Sequence, residues 1–356
     1  TGIASELLTL SDPNRKSLDK GNVKTQVLDT LSSEKGKCLS QSAKQADSQS
    51  VMNVRVGGPT TVVRGSDIYM LAGMYMITNV PTGQVGASDA DQWGLLLVKG
   101  NVSDGASDNR IYWNDTDALT CTLFNQHHGS LAGLISSGGS GVKMNDGTLV
   151  FPVEGTKNKS ETDDVGKTVS LILYSSDDTT TWKLSKGMSD GGCSDPSVAE
   201  WKEKLMMMTA CDDGRRRVYE SGDKGESWTE ALGTLSRVWG NKHKRHERGV
   251  GSGLITATIE KRKVMLVTLP VYSEKKVNES WKGKLHLWLT DNTHIADIGP
   301  VSGEGDDVAA SSLLYKSEGG TNEELIALYE KKGSGEASLG MVSVRLTEQL
   351  KRVKEV

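Results

Sequence analysis

Phenylalanine and long apolar runs are scarce in this sequence. Only two Phe occur among 356 residues, so Leu, Val, Met, Trp and Tyr must supply most of a core. No stretch approaches the roughly 18 consecutive apolar residues of a membrane-spanning helix. The net charge of −4 provides no general attraction to nucleic acid or anionic lipid, so we expect neither as a partner. A secretory signal is also missing, and the start at Thr1-Gly2-Ile3 has the character of a chain interior.

Spacings that bind metals or phosphates are absent as well. The cysteines form no C-x-x-C or zinc pattern, and no H-E-x-x-H accompanies the histidines. The glycine-rich stretch 133–147 fits neither a dinucleotide-binding fingerprint nor a phosphate-binding loop. We therefore predict no metal and no cofactor. Cys193 and Cys211 flank an apolar segment and could close a local disulfide loop, although the pairing of all four, including Cys38 and Cys121, stays open.

The sequence does contain two matches to the pattern S-x-D-x-G-x-[ST]-W. Each follows a short apolar strand that ends in Tyr, and their Asp residues are 46 positions apart. The pattern is typical of the Asp box, a β-hairpin turn in which the carboxylate caps loop N–H groups and the Trp packs beneath them. The residues are Ser175, Asp177 and Trp182, with Thr179 in place of Gly, and then Ser221, Asp223, Gly225 and Trp228. We expect these residues to be structural, without chemistry of their own.

The spacing of the boxes indicates a repeat. A third, degenerate copy spans residues 32–39, at close to three times the same interval before the first full copy. A fixed period of this length predicts a β-propeller with one box in each four-stranded blade. Short apolar runs bounded by Gly, Asp, Asn and Ser recur from Arg55 onward and agree with an all-β fold. Residues 1–55 are polar with weak strand signals, and only residues 347–356 suggest a helix.

From Arg55 onward the sequence resembles the trypanosomal trans-sialidase and sialidase superfamily. The resemblance rests on residues 58–60, 68–73, 193–196, 215–221, 233–240 and 287–292, of which the run T-L-S-R-V-W-G at 234–240 is very specific. It implies a sialidase-like, six-bladed propeller over residues 1–356, which the family follows with a lectin-like domain that is absent here. It also implies that residues 1–55 are a diverged first-blade region and that the family's opening F-R-x-P strand is missing.

This truncation carries a structural expectation. A propeller usually joins its last blade to a strand from the beginning of the chain, which removes exposed sheet edges. Because the family's first strands are missing, we expect one poorly paired blade. It would combine residues 1–40 with C-terminal strands at residues 325–329 and 341–346.

The family's active site can be sought position by position. The resemblance implies three Arg that clamp the sialic acid carboxylate, a Tyr nucleophile paired with a Glu, and an Asp that acts as general acid and base. One Arg and the acid/base Asp would fall in the missing or diverged N-terminal region. At the other positions, Gly58 stands for an Asp that contacts the substrate, Asp195 for the Glu, Ala210 and Lys282 for two Arg, and Ala310 for the Tyr. Because an Ala side chain cannot form a glycosyl bond, we expect no sialidase or trans-sialidase activity.

The leading interpretation is a catalytically degenerate surface glycoprotein of the adhesin-like branch of that superfamily. Residues 1–8 and the site substitutions favour it. It implies adhesion to host-cell or extracellular-matrix proteins, antigenic display, a role in virulence, an extracellular location and a GPI anchor encoded beyond this chain. Sequons that support glycosylation occur at Asn101, Asn114, Asn158 and Asn278.

Two other functions are kept as alternatives. The first is an exo-α-sialidase or trans-sialidase acting on terminal sialic acids, against which Ala310 argues. The second is a lectin that binds sialoglycans without turnover, with Trp281 as its candidate aromatic contact. The basic segment 242–248 is interpreted as a solvated face, with docking of acidic glycans as its alternative. No motif names the host ligand.

Overall fold

The computed structural model describes residues 2–5, 15–17, 24–27, 52–78, 92–102, 111–118, 130–158, 166–177, 179–239, 250–272, 282–318, 321–332 and 339–356. Within these ranges the chain forms 23 strands and one helix. The three N-terminal strands are β1 (Gly2–Ser5), β2 (Arg15–Ser17) and β3 (Lys24–Val27). β1 pairs with β3 in an antiparallel two-stranded ladder. The other strands form larger antiparallel sheets, so the all-β prediction is confirmed.

Three of the larger sheets follow one another along the chain. The first sheet contains β4 (Met52–Arg64), β5 (Asp67–Thr78), β6 (Gln92–Val102) and β7 (Ile111–Ala118). The second contains β8 (Leu131–Ser136), β9 (Val142–Lys143), β10 (Leu149–Lys157), β11 (Thr168–Ser175) and β12 (Trp182–Leu184). The third contains β13 (Cys193–Trp201), β14 (Lys204–Cys211), β15 (Arg216–Ser221) and β16 (Thr229–Glu230).

Two further sheets complete the described architecture. The fourth contains β17 (Gly253–Ile259), β18 (Arg262–Tyr272), β19 (Gly283–Thr290) and β20 (Ile295–Pro300). The fifth contains β21 (Val308–Glu318), β22 (Thr321–Lys332) and β23 (Leu339–Arg345), together with β2. Neighbouring sheets meet through their first strands, as β4 meets β8, β13 meets β17, and β17 meets β21. This succession of sheets is a β-propeller.

The number of blades differs from the expected six. The described residues form five sheets of four or five strands, and the N-terminal region adds only the β1–β3 ladder. The prediction of six blades was therefore wrong. A physical reason lies in the polar sequence of residues 10–55, which offers little apolar surface to bury against a neighbouring sheet.

The expected combination of residues 1–40 with the C-terminal strands is present in the fifth sheet, where three residues of the N-terminal region take part. β2 pairs with β23, with Arg15 opposite Val344 and Ser17 opposite Val342. The fifth sheet thus gains a fourth strand from the beginning of the chain, as propellers usually do. The strand is only three residues long, which limits its exposed edge.

Leu and Met pack the spaces between the sheets. In β18, residues 264–270 are all buried, because both faces of this middle strand are covered. Leu71, Phe151 and Leu171 belong to the cluster between the first and second sheets, and Met206 and Met265 to that between the third and fourth. The core therefore has the composition that the scarcity of Phe predicted.

Serine and threonine hydroxyls link the sheets near the centre. The Ser197 hydroxyl of β13 donates to the Ser252 carbonyl beside β17 at 2.7 Å. The Thr60 hydroxyl of β4 donates to the Gly139 carbonyl at 2.8 Å, and the Leu254 N–H donates to the Ser140 hydroxyl at 3.0 Å. These bonds fix the positions of the first strands, from which the candidate site is built.

The predicted terminal helix is confirmed as α1 (Thr347–Glu355). Its Leu350 and Val353 are buried, so it covers one side of the propeller with an apolar stripe. In the part of the chain that the structure describes, no helix combines the length and apolar character needed to cross a membrane.

Candidate functional site

The site positions can be located from strand register. Asp195 lies near the beginning of β13, and Ala210 near the end of β14. The strands are joined at Lys202 and Glu203, since Trp201 pairs with Lys204 and Ser194 with Ala210. We call the end of the propeller that carries Asp195 and Ala210 the site end, and the end with the Lys202–Glu203 turn the turn end. Lys282 directly precedes β19, and Ala310 lies near the beginning of β21. Both residues therefore lie away from the turn that joins the first two strands of their sheet.

The positions of the clamp and of the nucleophile carry short or flexible side chains. Ala210 is buried with 9% of its surface exposed, so its methyl group offers no guanidinium to an anion. Ala310 is partly exposed in an irregular stretch of β21, between the paired residues Val308 and Ser311. Lys282 is half-buried and keeps a positive charge, but an ammonium lacks the planar fork that binds a carboxylate bidentately.

At Gly58 both the backbone conformation and a close neighbour disfavour a side chain. Its φ is +56°, and a Cβ atom at this position would lie 2.5 Å from the carbonyl oxygen of Ser136. The Ser136 hydroxyl also donates to the Gly58 carbonyl at 2.6 Å. The backbone of the second sheet therefore occupies the space where an Asp side chain would begin.

Asp195 contacts a second carboxylate that sequence reasoning missed. Its N–H donates to Glu154 Oε1 at 2.8 Å, and the Ser194 hydroxyl donates to Asp195 Oδ2 at 2.7 Å. Burial raises the pKa of Glu154 to about 7; the nearby charge of Asp195 acts in the same direction, while the Asp195 N–H opposes both. The available signal was a single acidic residue directly after the apolar run at 149–153. A carboxyl group that titrates near neutral pH can donate or accept a proton in catalysis.

Asp195 is held in an unusual conformation. Its φ is +51°, which is uncommon for a residue with a side chain, and the β13–β14 register shifts between Ser194 and Ser197. Beneath it, the Thr209 hydroxyl donates to the Ser194 carbonyl at 2.6 Å. The Ser170 hydroxyl donates to the Cys193 carbonyl at 3.0 Å. The Asp195 backbone is thus supported by the second and third sheets together.

The disulfide left open by the sequence is present here. Cys193 and Cys211 are bonded to each other and lie opposite one another in the β13–β14 ladder. The bond covalently joins the two strands next to Asp195 and Ala210. Cys38 and Cys121 lie outside the described residues.

The strict S-x-D-x-G-x-S-W segment forms the turn between β15 and β16. Asp223 Oδ1 accepts from the Ser227 N–H at 3.0 Å, and Oδ2 accepts from the Ser227 hydroxyl at 2.6 Å. These bonds, with one from the Ser221 hydroxyl, lower the pKa of Asp223 to about 2. Gly225 has a φ of +82°, which explains the requirement for Gly. Because Ser221 pairs with Leu205, this turn lies at the turn end, away from the site.

The upstream copy uses a different set of hydrogen bonds. Thr179 occupies the left-handed position, with a φ of +61°. The Thr181 N–H donates to the Ser176 hydroxyl at 3.1 Å, while Asp177 is exposed. The Ser175 hydroxyl accepts from the Leu149 N–H at 3.0 Å. Trp182 is buried 5.7 Å from the Phe151 ring, whereas Trp228 is half-buried.

Several other candidate residues can be placed. Asn158 is exposed at the end of β10, Asn101 is half-buried in β6, and Asn114 belongs to β7. Asn278, Trp281 and the basic segment 242–248 lie outside the described residues. Among the residues that the structure does describe, no group of three or more His, Cys, Asp or Glu is arranged to hold a metal ion.

Comparisons with known proteins agree on one family. Residues 9–330 match the family of the BNR repeat-like domain. The chain is 36% identical over 307 residues to a sialidase of Trypanosoma cruzi, covering 85% of this chain and 25% of the relative. It is 38% identical over 312 residues to sialidase 85-1.1 of Trypanosoma cruzi, covering 84% of this chain and 38% of the relative. The structure of Trypanosoma rangeli sialidase in complex with sialic acid has 32% identity and a TM-score of 0.70, covering 88% of this chain and 47% of that one.

The family match and the propeller together define a BNR repeat-like protein. Within that class the chain belongs to the trypanosomal sialidase and trans-sialidase superfamily, as the sequence resemblance indicated. The chain spans 25% and 38% of the two curated relatives and less than half of the solved sialidase.

Proposed function

We propose that this chain is a catalytically degenerate member of its superfamily that acts by binding rather than by turnover. The observation that carries the proposal is Ala310 at the position of the nucleophile. Covalent glycosyl transfer needs an oxygen that attacks the anomeric carbon, and a methyl group has none. Ala210 and Lys282 also leave the carboxylate of a sialic acid without two of the bidentate partners that the family pattern provides.

The geometry around Gly58 supports the same proposal. The carbonyl of Ser136 lies where a side chain at position 58 would begin, so reversing this substitution requires movement of backbone. Asp195 is engaged with Ser194 and Glu154 and has no Tyr hydroxyl at position 310 to polarise. Changing Ala310 to Tyr alone should therefore restore no activity.

The experiment that tests the proposal is hydrolysis of a fluorogenic sialoside. The wild-type chain and Ala310→Tyr are assayed from pH 5 to 8, with Trypanosoma rangeli sialidase as the positive control. We expect neither protein to exceed the uncatalysed rate. Turnover by the wild-type chain would contradict the proposal.

The second candidate function is exo-α-sialidase or trans-sialidase activity. It is favoured by the sialidase names of the relatives and by Glu154, a carboxyl group suited to proton transfer near neutral pH. If hydrolysis is found, Glu154→Gln should lower kcat with a changed pH profile, because the group that titrates near pH 7 is lost. An unchanged profile would assign the proton transfer elsewhere.

We further propose an extracellular, glycosylated protein that adheres to host-cell or matrix proteins, displays antigenic surface and contributes to virulence. In this proposal its membrane attachment is a GPI anchor encoded beyond this chain. The support is the superfamily together with a site that lacks the nucleophile. Pull-down of host surface proteins by the whole chain tests this, with host cells compared before and after enzymatic removal of terminal sialic acid. Unchanged capture shows that the adhesion does not depend on terminal sialic acid.

Capture that is lost after this treatment would favour the lectin alternative. The related sialidase solved with sialic acid gives that alternative its support. Trp281→Ala should then abolish binding on a glycan array.

A further inference from the structure

Two neighbouring hairpin turns at the turn end place lysines around one indole. Lys202 Nζ lies 5.8 Å from the centroid of the Trp201 ring, and Lys263 Nζ lies 5.7 Å from the same ring. Lys202 comes from the β13–β14 turn and Lys263 from the beginning of β18, so the two cations belong to different sheets. Trp201 is only 5% exposed and packs with Met206 and Met265, which fixes its orientation. The ring therefore attracts two ammonium groups that come from different sheets.

These cations differ from a neighbouring lysine in their contacts with carboxylates. Lys204, in the same hairpin, pairs with Glu220 at 3.2 Å. By contrast, Lys202, Lys261 and Lys263 are exposed and form no ion pair with any carboxylate in the described ranges of the chain. An ammonium above an indole keeps its donors available, because the ring attracts charge without accepting all of its hydrogen bonds. Lys202 and Lys263 thus keep donors for an external anion, and the exposed Lys261 adds a third positive charge in the adjoining turn.

The backbone conformation of both turns is one that other residue types adopt more readily than Lys and Glu. The φ angles are +49° at Lys202 and +66° at Glu203, and the second turn repeats them with +48° at Glu260 and +66° at Lys261. Two-residue turns with both residues left-handed prefer Asn-Gly, which adopts this conformation without steric cost. Lys and Glu occupy these positions here although a side chain makes the conformation sterically costly. Strained positions of this kind concentrate at functional surfaces.

We propose that this surface, formed by Lys202 and Lys263 over Trp201 together with Lys261 in the β17–β18 turn and called the lysine surface below, binds a sulfated glycan. Glu203 and Glu260 lie in the same turns, and with Lys204 and Arg262 included the two turns still carry more cations than anions. Sulfate groups keep their charge at all physiological pH values and need only ammonium donors. Arg262, whose guanidinium donates to the Lys354 carbonyl at 3.1 Å, adds positive charge to the rim.

Other polyanions fit this surface less well. A bilayer would require an apolar anchor, and none of the large exposed hydrophobic side chains, Val63, Leu232, Val238, Leu314 and Val356, belongs to either turn. A single-stranded nucleic acid would require an exposed ring for base stacking, whereas Trp201 is buried. A glycan with regularly spaced sulfates requires neither.

The lysine surface lies at the turn end, opposite Asp195 and Ala210. It names a partner class for the adhesion proposed above and rests on that proposal for its biological use. Its own test is separate, because binding of a purified glycan needs neither catalysis nor a host protein. A negative glycan result with positive capture of host proteins would reject the lysine surface alone.

The test measures binding of a size-defined heparin oligosaccharide to the whole chain by calorimetry. We expect Lys202→Ala/Lys263→Ala to weaken binding about fivefold or more, since each exposed charge contributes modestly. The control Lys183→Ala/Lys284→Ala removes the same charge from exposed residues away from Trp201. It should change affinity less than about twofold. Lys202→Arg/Lys263→Arg should retain binding. Thermal melts verify that each variant folds.

Three further probes identify the class of anion. Desulfated heparin, vesicles containing phosphatidylserine and a poly-Glu peptide are measured against the same variants. The proposal expects binding of sulfated heparin only, with sensitivity to the Lys202/Lys263 pair. Equal weakening by the control pair, absence of heparin binding, or equal binding of any of these three probes would overturn it.

Discussion

The two ends of the propeller hold carboxylates in opposite ways. At the site end, Glu154 is largely buried beside Asp195, and its pKa is raised to about 7. At the turn end, Asp223 is exposed, accepts hydrogen bonds from Ser227 and Ser221, and has a pKa lowered to about 2. Burial without a cation favours the neutral acid, whereas donors from the loop favour the anion. Side chains of the same chemistry therefore stabilise the fold over different pH ranges.

The largest expected effect is a loss of stability that differs between Gly58 and Gly65, two glycines of the β4–β5 hairpin. Gly58→Asp should lower the free energy of unfolding by about 4 kcal/mol, because it combines a left-handed backbone with a clash against the Ser136 carbonyl. Gly65 in the β4–β5 turn also has a positive φ, but nothing lies within 4 Å of a Cβ placed there. Gly65→Asp should therefore cost only about 1 kcal/mol. Urea unfolding of both variants checks this, and equal losses would contradict the crowding at Gly58.

Glu154→Gln should produce the next largest effect, with a defined pH dependence. The folded pKa of Glu154 is raised above its unfolded value, so ionisation of Glu154 destabilises the folded state as pH rises from about 4.5 to about 7. The variant keeps an acceptor for the Asp195 N–H but has no charge. We expect it to match the wild type near pH 4 and to exceed it by on the order of 3 kcal/mol at pH 8. Urea midpoints across this range measure the difference.

A companion variant sharpens that result. Asp195→Asn removes the neighbouring negative charge, which is the second cause of the raised pKa of Glu154. The loss of stability between pH 4.5 and 7 should become smaller in this background. A pH dependence identical to that of the wild type would show that Asp195 does not act on Glu154.

At the turn end the pH dependence of stability has the opposite sign, and the expected change in stability is smaller. The pKa of Asp223 is lowered, so its stabilising contribution is present above about pH 4 and is lost as pH falls through 2. Asp223→Asn should lower the Tm at pH 7 and have little effect at pH 2. Asp177→Asn is the matched control and should lower the Tm less, because the Thr181 N–H in that loop donates to the Ser176 hydroxyl. Equal changes in both loops would contradict this distinction.

The smallest expected effect is a gain in stability. Thr179→Gly should raise the free energy of unfolding by less than about 1 kcal/mol, because Gly adopts the +61° φ without steric cost. The variant also loses a hydrogen bond of 3.2 Å between the Thr179 and Tyr69 hydroxyls. Tyr69→Phe removes the same hydrogen bond together with the hydrogen bond between Tyr69 and Lys99, so its cost is an upper bound for that loss. If Thr179→Gly lost more free energy of unfolding than Tyr69→Phe, the left-handed conformation of Thr179 would carry no strain.

The sequence predicted features that depend on local chemistry. The all-β class, the terminal helix and the turn-forming Gly225 follow from alternation, periodicity and the requirement for a positive φ. Blade number was missed because it depends on whether a polar segment finds apolar surface to cover. Glu154 was missed because its pKa arises from burial between sheets and from Asp195, which is distant in the sequence. Trp201 and its two lysines were missed for the same reason, since Lys263 reaches the ring from another sheet.

The pairing of β2 with β23 has a consequence for the order of folding. Arg15 and Val344 are among the most distant partners in the chain, and loop closure of this size is slow because its entropy must be lost before the contacts form. During synthesis β2 therefore waits without its partner until nearly the whole described chain has emerged. Until β23 has been made, β2 is a strand without its partner and is open to mispairing with another nascent chain.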